Sequence, residues 1–505
     1  MYPGAHAAQA PDRPAAIMHE TGERLTYAEL EERSIRLSRL LYDTGLRRGD
    51  GIAMIAENDL RYFEVYWAAL RSGLYFTAVN WHLTPEESAY IVNDSGARAL
   101  IVSAGRADLA RTIPGLELRL AFGGAVPGYE DYEQALAATP PARLEHEPLG
   151  ADMLYSSGTT GRPKGVRLPL QPVTVADGSP MAAGISAIWG FGPDTVYLSP
   201  APLYHAAPLR YGAWVQMLGG TVVVLRGFDA VAALAAIEQH RVTHSQWVPT
   251  HFVRMLKLPG EIRSSYDHSS LVVAIHAAAP CPVHVKQAMI DWWGPVVHEY
   301  YAATESSGMT LIMAQEWLRK PGSVGRAIVG TVRICADDGT GLGPGEVGTV
   351  YFERDELPFR YHNDDTKTAQ AQHPGHPAWT TTGDVGYLDE DGYLFLTDRK
   401  SFMIISGGVN IYSQEVENCL SAHPDVLDVA VIGVPDEEMG ESVLAVVQPV
   451  PGIAPGPDFE RRLIDFARAG LAHYKAPRRV SFTDELPRTP TGKLRKHLLR
   501  EKYAG

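Results

Sequence analysis

The chain has 505 residues, several times the usual single-domain length, with 45% apolar and 21% charged residues. That ordinary globular composition excludes disorder, and a formal charge of −14 lacks the basic face with which a nucleic-acid binder collects phosphates. Cys281, Cys335 and Cys419 form no CxxC pair, which argues against a disulfide framework or a structural zinc site and for a reducing, cytoplasmic setting.

Neither a basic-then-apolar leader pattern nor an apolar run long enough to span a bilayer is present, so a soluble enzyme of two or more lobes is expected. Thr26 to Tyr42 is predicted as an amphipathic helix: Thr26 and Glu29 form a capping box, and Tyr27, Leu30, Leu37 and Leu41 share one stripe. Short apolar strands at Gly51 to Ile55, Ala99 to Val102 and Thr221 to Leu225 alternate with helical stretches, the pattern of α/β layers around largely parallel sheets. From about Gly325 to Thr397 the texture changes to short strands broken by Gly and Asp turns, among them Val332 to Ala336, Gly348 to Glu353 and Tyr393 to Leu396. Beyond Arg399, a helix at Gln414 to Leu420, strands at Val429 to Ile432 and Val443 to Gln448 and a basic tail are expected. The expected organisation is therefore a large N-terminal α/β domain, residues 1–398, with a β-rich subdomain over about 325–398, followed by a small, mobile α+β domain, residues 399–505.

The strongest local signal is Tyr155-Ser156-Ser157-Gly158-Thr159-Thr160-Gly161-Arg162-Pro163-Lys164-Gly165. Its glycines, hydroxyls and lysine can turn backbone N–H groups, hydroxyls and a cation toward a polyphosphate, and the loop suits the β- and γ-phosphates of ATP. The Gly158 to Lys164 spacing differs from a Walker A loop. Gly343 to Gly348 satisfies GxGxxG, but a strand follows where a dinucleotide fold needs a helix, so this stretch reads as a hairpin turn. No GxSxG or HExxH pattern is present to support a serine hydrolase or a zinc protease.

The phosphate loop closely resembles the signature of the adenylate-forming superfamily, which includes acyl-CoA synthetases, luciferases and nonribosomal peptide adenylation domains. The resemblance recurs in order at Pro202-Leu203-Tyr204-His205, Tyr301-Ala302-Ala303-Thr304-Glu305, Thr382-Gly383-Asp384, Asp398-Arg399-Lys400 and Pro490-Thr491-Gly492-Lys493. It implies an ATP- and Mg²⁺-dependent ligase that converts a carboxylic acid to an acyl-adenylate with release of pyrophosphate and then transfers the acyl group to coenzyme A. Transfer to an amine or to a carrier-protein thiol uses the same first step and stays open, as does a degenerate nucleotide sensor. Monomer and homodimer are both compatible with the sequence.

By this resemblance Ser156, Ser157, Gly158, Thr159, Thr160, Gly161 and Lys164 hold ATP phosphates, and Ala278, Ala279 and Pro280 border the adenine that stacks on Tyr301 beside Ala302. Asp384 accepts the ribose hydroxyls from a loop between strands, and Arg399 donates to the same sugar. Thr304 and Glu305 stand beside the phosphates, with Thr160 and Glu305 the implied Mg²⁺ residues. Alone, a Thr-Glu pair would read as the first turn of a helix. Lys493 is the implied catalytic lysine and His205 the residue edging the reacting carboxylate, with His205, Tyr211, Trp247, His276 and Gly308 lining an acyl pocket for a fatty or aryl acid. Ser401 occupies the hinge position, where the family more often has Asp or Lys, and Ser406, Gly407, Gly408 and Lys475 are the implied coenzyme A contacts.

Overall fold

The computed structural model describes residues 2–111, 113–156, 162–489 and 494–503. These fall into two compact units, Met1–Trp247 with Lys257–Ile275 and Pro358–Thr368, and Val248–Leu256 with His276–Leu357 and Ala369–Gly505.

In the first unit the capping box forms as the sequence predicts. Glu29 N–H donates to Thr26 Oγ1 at 3.2 Å, and Thr26 N–H donates to Glu29 Oε2 at 2.8 Å, opening the helix Tyr27–Asp43. Tyr27, Leu30, Leu37 and Leu41 are completely buried, and the Tyr27 hydroxyl meets its hydrogen-bonding need at the Gly220 carbonyl, 2.7 Å away.

Two sheets build this unit. One has the order Arg360–Tyr361, Lys164–Arg167, Ala151–Ser156, Tyr75–Val79, Gly51–Ile55, Ala97–Ser103, Leu118–Phe122 and Glu130–Asp131. The pairings from Ala151–Ser156 to Glu130–Asp131 are parallel, and every residue of Gly51–Ile55 is buried, which is why that strand reads as an unbroken apolar run. In the other sheet Arg24–Thr26 pairs antiparallel with Pro14–Met18, which continues in parallel through Thr221–Val224, Val196–Ser199 and His244–Trp247.

The second unit opens with an antiparallel ribbon of Val297–Ala302, Met309–Ile312 and Arg326–Val329. An antiparallel sheet follows, built from Thr331–Cys335, Gly348–Glu353, Gln372–His373, His376–Thr380, Asp384–Leu388 and Leu394–Arg399. The GxGxxG stretch joins Thr331–Cys335 to its antiparallel partner Gly348–Glu353, so it is a hairpin connection. A further sheet takes Val409–Ile411, Ile404–Ser406, Gly440–Pro449 and Val426–Asp436 in that order, with Arg479–Phe482 parallel to Gly440–Pro449. Both faces of this last sheet are covered. Val429 and Val431 pack with Val416, Leu420 and Leu463, while the alternating Ala430 and Ile432 pack with Leu486 and Leu499. The basic tail of the sequence reading is in fact a helix, Lys496–Tyr503, whose apolar contact is carried largely by Leu499 amid charged neighbours.

Gly325 is the tightest steric constraint in the second unit. Its φ is +93°, and a Cβ there would lie 1.9 Å from the Leu311 carbonyl oxygen. Gly325→Ala is expected to lower unfolding stability by about 2 kcal/mol or more, read as a fall in the urea midpoint. An unchanged midpoint would show that the ribbon spreads at this point without cost.

Candidate active site

In the first unit the two described ends of the phosphate-loop motif pair as antiparallel strands. Ser156 ends the strand Ala151–Ser156, Lys164 begins Lys164–Arg167, and the two are register partners, so the motif's ends are held together by strand pairing. Gly165 suits this pairing, because a Cβ there would come within 2.9 Å of the Tyr155 ring and push it aside. The Lys164 ammonium lies 5.1 Å from the Tyr361 ring centroid. Ser157, Gly158, Thr159, Thr160 and Gly161 lie outside the described residues, as does Lys493.

His205 is the N-cap residue of the helix Ala206–Met217, and its ring centroid is 4.4 Å from that of Tyr204. The stretch before it is fixed by a residue that carries no motif of its own. Buried Asn58 donates to the carbonyls of Ala201 and Leu225 at 3.2 and 2.7 Å and accepts from Leu203 N–H at 2.8 Å. Tyr211 and Trp247 are 3% and 1% exposed, and Trp247 Nε1–H donates to Ser245 Oγ at 2.7 Å.

In the second unit three segments converge on Asp384, the first residue of the strand Asp384–Leu388 rather than a loop residue. Oδ2 accepts from the Tyr301 hydroxyl at 2.6 Å and from Thr382 Oγ1 at 2.7 Å, and Oδ1 accepts from Arg399 Nε at 2.8 Å. Burial works to raise the Asp384 pKa, but the Arg399 charge and the hydroxyl donors of Thr382 and Tyr301 outweigh it and hold the carboxylate below its ordinary value. Arg399 is shifted upward, first by Asp384 against its own desolvation and also by the nearby charge of Glu305.

Tyr301 stacks on Phe352 with ring centroids 6.0 Å apart and planes 29° from parallel. Phe352 in turn occupies the space left by the missing side chain of Gly308, where a Cβ would fall 2.0 Å from its ring. Thr304 and Glu305 form a turn after the strand Val297–Ala302, with Glu305 buried and Thr304 half-buried. Their hydroxyl and carboxylate are hard oxygen donors of the kind Mg²⁺ takes alongside phosphates and water, so the donor chemistry fits that ion. Ser306, directly after them, has φ +54°, and Ala278 has φ +74° beside Ala279 and Pro280. Both are non-glycine residues in the left-handed region, strain that persists only where the surroundings impose it.

His276 ends the strand Val273–His276 and is completely buried, with Nε2 3.4 Å from Glu299 Oε2. Burial, then Lys286 and His298, push its pKa well down, so the ring is neutral. Lys286 Nζ donates to Glu299 Oε2 at 2.6 Å and completes this buried polar set.

The hinge and coenzyme A positions are also in this unit. Gly407 and Gly408 have φ +57° and +78° and form the two-residue turn between Ile404–Ser406 and Val409–Ile411, with Ser406 paired to Val409. Ile405 and Val409 on this hairpin are 50% and 44% exposed. Lys475 Nζ donates to both Glu415 carboxylate oxygens, at 2.8 and 2.7 Å. The Ser401 carbonyl accepts from Arg500 Nη1 at 3.0 Å. Asp398 Oδ2 accepts from Ser413 Oγ at 2.8 Å and from Gln414 N–H at 3.3 Å, satisfying a first-turn donor of the helix Ser413–Ser421 that its N-cap Tyr412 leaves open. Lys496, 4% exposed, donates to Ser413 Oγ at 2.6 Å and Glu417 Oε1 at 2.8 Å.

A family model described as AMP-binding enzyme matches residues 4–360, and one described as AMP-binding enzyme C-terminal domain matches residues 415–493. The chain belongs to this family, the adenylate-forming superfamily of the sequence reading. It is 34% identical to a feruloyl-CoA synthase of Amycolatopsis sp over 495 residues, covering 97% of this chain and 96% of that protein. It is 32% identical to a long-chain-fatty-acid–CoA ligase of Mycobacterium tuberculosis over 516 residues, covering 99% of this chain and 97% of that protein. The structure of ATP-bound MatB from Rhodopseudomonas palustris superposes with a TM-score of 0.84 at 28% identity, covering 100% of this chain and 99% of that one.

Because its pKa is depressed, Asp384 contributes stability that is complete above the unfolded-state value near 3.8 and is lost as pH falls through the lower folded value. Asp384→Asn should therefore destabilise the protein by about 2 kcal/mol at neutral pH, since it weakens three hydrogen bonds to a charged acceptor while Arg399 keeps some access to water. The gap to wild type should be constant above pH 5 and narrow below about pH 4 in equilibrium unfolding. A gap independent of pH would show that the charge on Asp384 is not what binds the three segments.

Proposed function

We propose that this chain activates a carboxylic acid with ATP and Mg²⁺, releases pyrophosphate and passes the acyl group from the adenylate to the thiol of coenzyme A. The observation that carries the reading is the convergence of Tyr301, Thr382 and Arg399 on the buried carboxylate of Asp384, at positions where an adenylate-forming enzyme grips adenosine. A carboxylate accepting from fixed donors keeps acceptor capacity for ribose hydroxyls, and Arg399, half-buried, has further N–H groups to offer the sugar. The Tyr301 ring offers adenine the face not covered by Phe352.

In the first step an oxygen of the acid attacks the α-phosphorus, an O–P bond forms, the bond to the β-phosphate breaks and pyrophosphate leaves. The protein contributes alignment and charge neutralisation rather than a covalent intermediate. Thr160 and Glu305, with Thr304 beside them, would hold Mg²⁺, which would supply positive charge to the departing pyrophosphate. Lys493 supplies a second positive charge, and His205 edges the carboxylate. In the second step the coenzyme A sulfur attacks the acyl carbon, a C–S bond forms and AMP leaves. We assign Ser406, Gly407, Gly408 and Lys475 to the thiol-delivering face and Ser401 to the hinge of the domain beginning at Arg399. We assign the enzyme to the cytoplasm on its three unpaired cysteines, and among the described residues no helix is long and apolar enough to cross a membrane.

Acid-dependent exchange of labelled pyrophosphate into ATP tests the first step and should require Mg²⁺; formation of ADP and phosphate would replace this reading with another. Lys493→Ala should slow adenylation roughly 10²-fold or more, the ~3 kcal/mol of one transition-state charge contact, while synthetic acyl-adenylate is still converted to thioester. Equal losses in both half-reactions would remove Lys493 from this role.

Ser401→Pro fixes φ near −65° and should trap one orientation of the C-terminal domain. Single-turnover kinetics are expected to show adenylation retained and thioester formation sharply reduced at unchanged melting temperature. A wild-type transfer rate would rule out Ser401 as the hinge.

A further inference from the structure

Glu299 stands two residues before Tyr301 on the strand Val297–Ala302 and so shares its face of that strand, because side chains alternate with a period of two. Its carboxylate is 6% exposed and accepts from the ammonium of Lys286, itself 0% exposed, at 2.6 Å. The same ammonium lies 4.9 Å from the centroid of the buried Trp317 ring. Neither charge meets water, so each depends on the other, and removing one would leave its partner buried and uncompensated.

Both ends of the segment Ala277-Ala278-Ala279-Pro280 meet this pair. His276 leads into it with Nε2 3.4 Å from Glu299 Oε2, and the Cys281 thiol that follows it lies in the field of both charges. Between these ends Ala278 holds φ +74°, and Ala278 and Pro280 are exposed, so the segment has little packing of its own to keep a left-handed residue in place. Lys286 itself belongs to the helix Val283–Trp293, which starts two residues beyond Cys281. The ion pair therefore joins the segment, and the helix that follows it, to the strand that carries Tyr301.

We infer, on the acid-activating reading that places adenine between this segment and Tyr301, that Lys286 is a positioning residue for ATP: through Glu299 it holds the Ala277 to Pro280 backbone in place beside Tyr301 without touching the nucleotide. Burial raises the Glu299 pKa, and the Lys286 ammonium opposes that rise. The other titratable groups facing the pair stay uncharged near neutral pH. Burial, with Lys286 and His298, keeps the His276 ring neutral; burial, with Lys286, takes His298 down to about 4; and burial, with Glu299, pushes the Cys281 thiol up. Lys286→Met would leave the rise at Glu299 unopposed. Protonated, that residue is tolerated; once pH passes its raised pKa it becomes a lone buried charge that the fold relieves by moving the strand or the segment.

The test is isothermal titration of the full chain with ATP, AMP or pyrophosphate in the presence of Mg²⁺, which needs no acid. Lys286→Met should raise the dissociation constants of ATP and AMP roughly tenfold or more at a pH of about 8, and leave that of pyrophosphate, which lacks adenine, within about twofold. The ratio of variant to wild-type dissociation constants for ATP should grow roughly threefold or more between pH of about 6.5 and about 8.5, and adding Glu299→Gln should abolish that growth. Unchanged ATP binding in Lys286→Met, equal losses for ATP and pyrophosphate, or a ratio indifferent to pH would each overturn the inference and leave the acid-activating function standing. If Lys286→Met does not fold, the double variant with Glu299→Gln, which buries no charge, decides: weakened ATP binding with pyrophosphate binding retained supports the tie, and wild-type ATP binding overturns it. A wild-type chain that binds no ATP would overturn the function as well.

Discussion

The second unit is organised around one buried carboxylate. Asp384 is 7% exposed, and at such a site a carboxylate without partners would bind a proton rather than keep its charge. It stays charged because Arg399, Thr382 and Tyr301 deliver an ion pair and two hydroxyl donors from the end of one strand, a Gly-containing turn and the end of another strand. Each donor must be in place for the others to be worth keeping, so the carboxylate ties the distant strand of Tyr301 to its own neighbours Thr382 and Arg399. The dependence runs further. Tyr301 keeps its hydroxyl on Asp384 because its ring rests on Phe352, and Phe352 has room because residue 308 is glycine.

Strand alternation then divides the labour between neighbours. Asp398 and Arg399 are adjacent on Leu394–Arg399 and point to opposite faces. Arg399 reaches back to Asp384, whereas Asp398 satisfies the open first turn of Ser413–Ser421 and receives the Ser413 hydroxyl, which in turn accepts from the buried Lys496. Two residues further on, the Ser401 carbonyl is held by Arg500 from the last helix. The assigned hinge therefore follows closely on the Asp384–Arg399 ion pair and on a polar relay into the C-terminal sheet. A rotation there has to exchange these hydrogen bonds for others, which favours discrete positions over a continuum.

In the first unit the corresponding constraint is the satisfaction of buried backbone. Asn58 serves two carbonyls and one N–H around Pro202 to His205, and strand pairing of Ser156 with Lys164 fixes the ends of the phosphate-loop motif. The described parts of both motifs are thus anchored on rigid elements.

Much of this was legible in the sequence because it depends on local rules. The capping box at Thr26, the unbroken apolar strand Gly51–Ile55, the hairpin in place of a dinucleotide turn at Gly343 to Gly348, and the ordered motifs containing Tyr301, Asp384 and Arg399 are all encoded within a few residues of themselves. The helix Lys496–Tyr503 escaped because charged residues surround its few apolar ones, and its periodicity becomes visible only against the sheet it covers. Asn58, Phe352 and Lys496 carried no local signal, since each acts on partners tens to hundreds of residues away. The ordered motifs that resemble the family's identified the family, and the patterning of strands and helices indicated the fold class. Only the tertiary structure decided which residues share a hydrogen bond and that Phe352 fills the space beside Gly308. Those outcomes follow from burial and packing among distant segments, which no window of sequence contains.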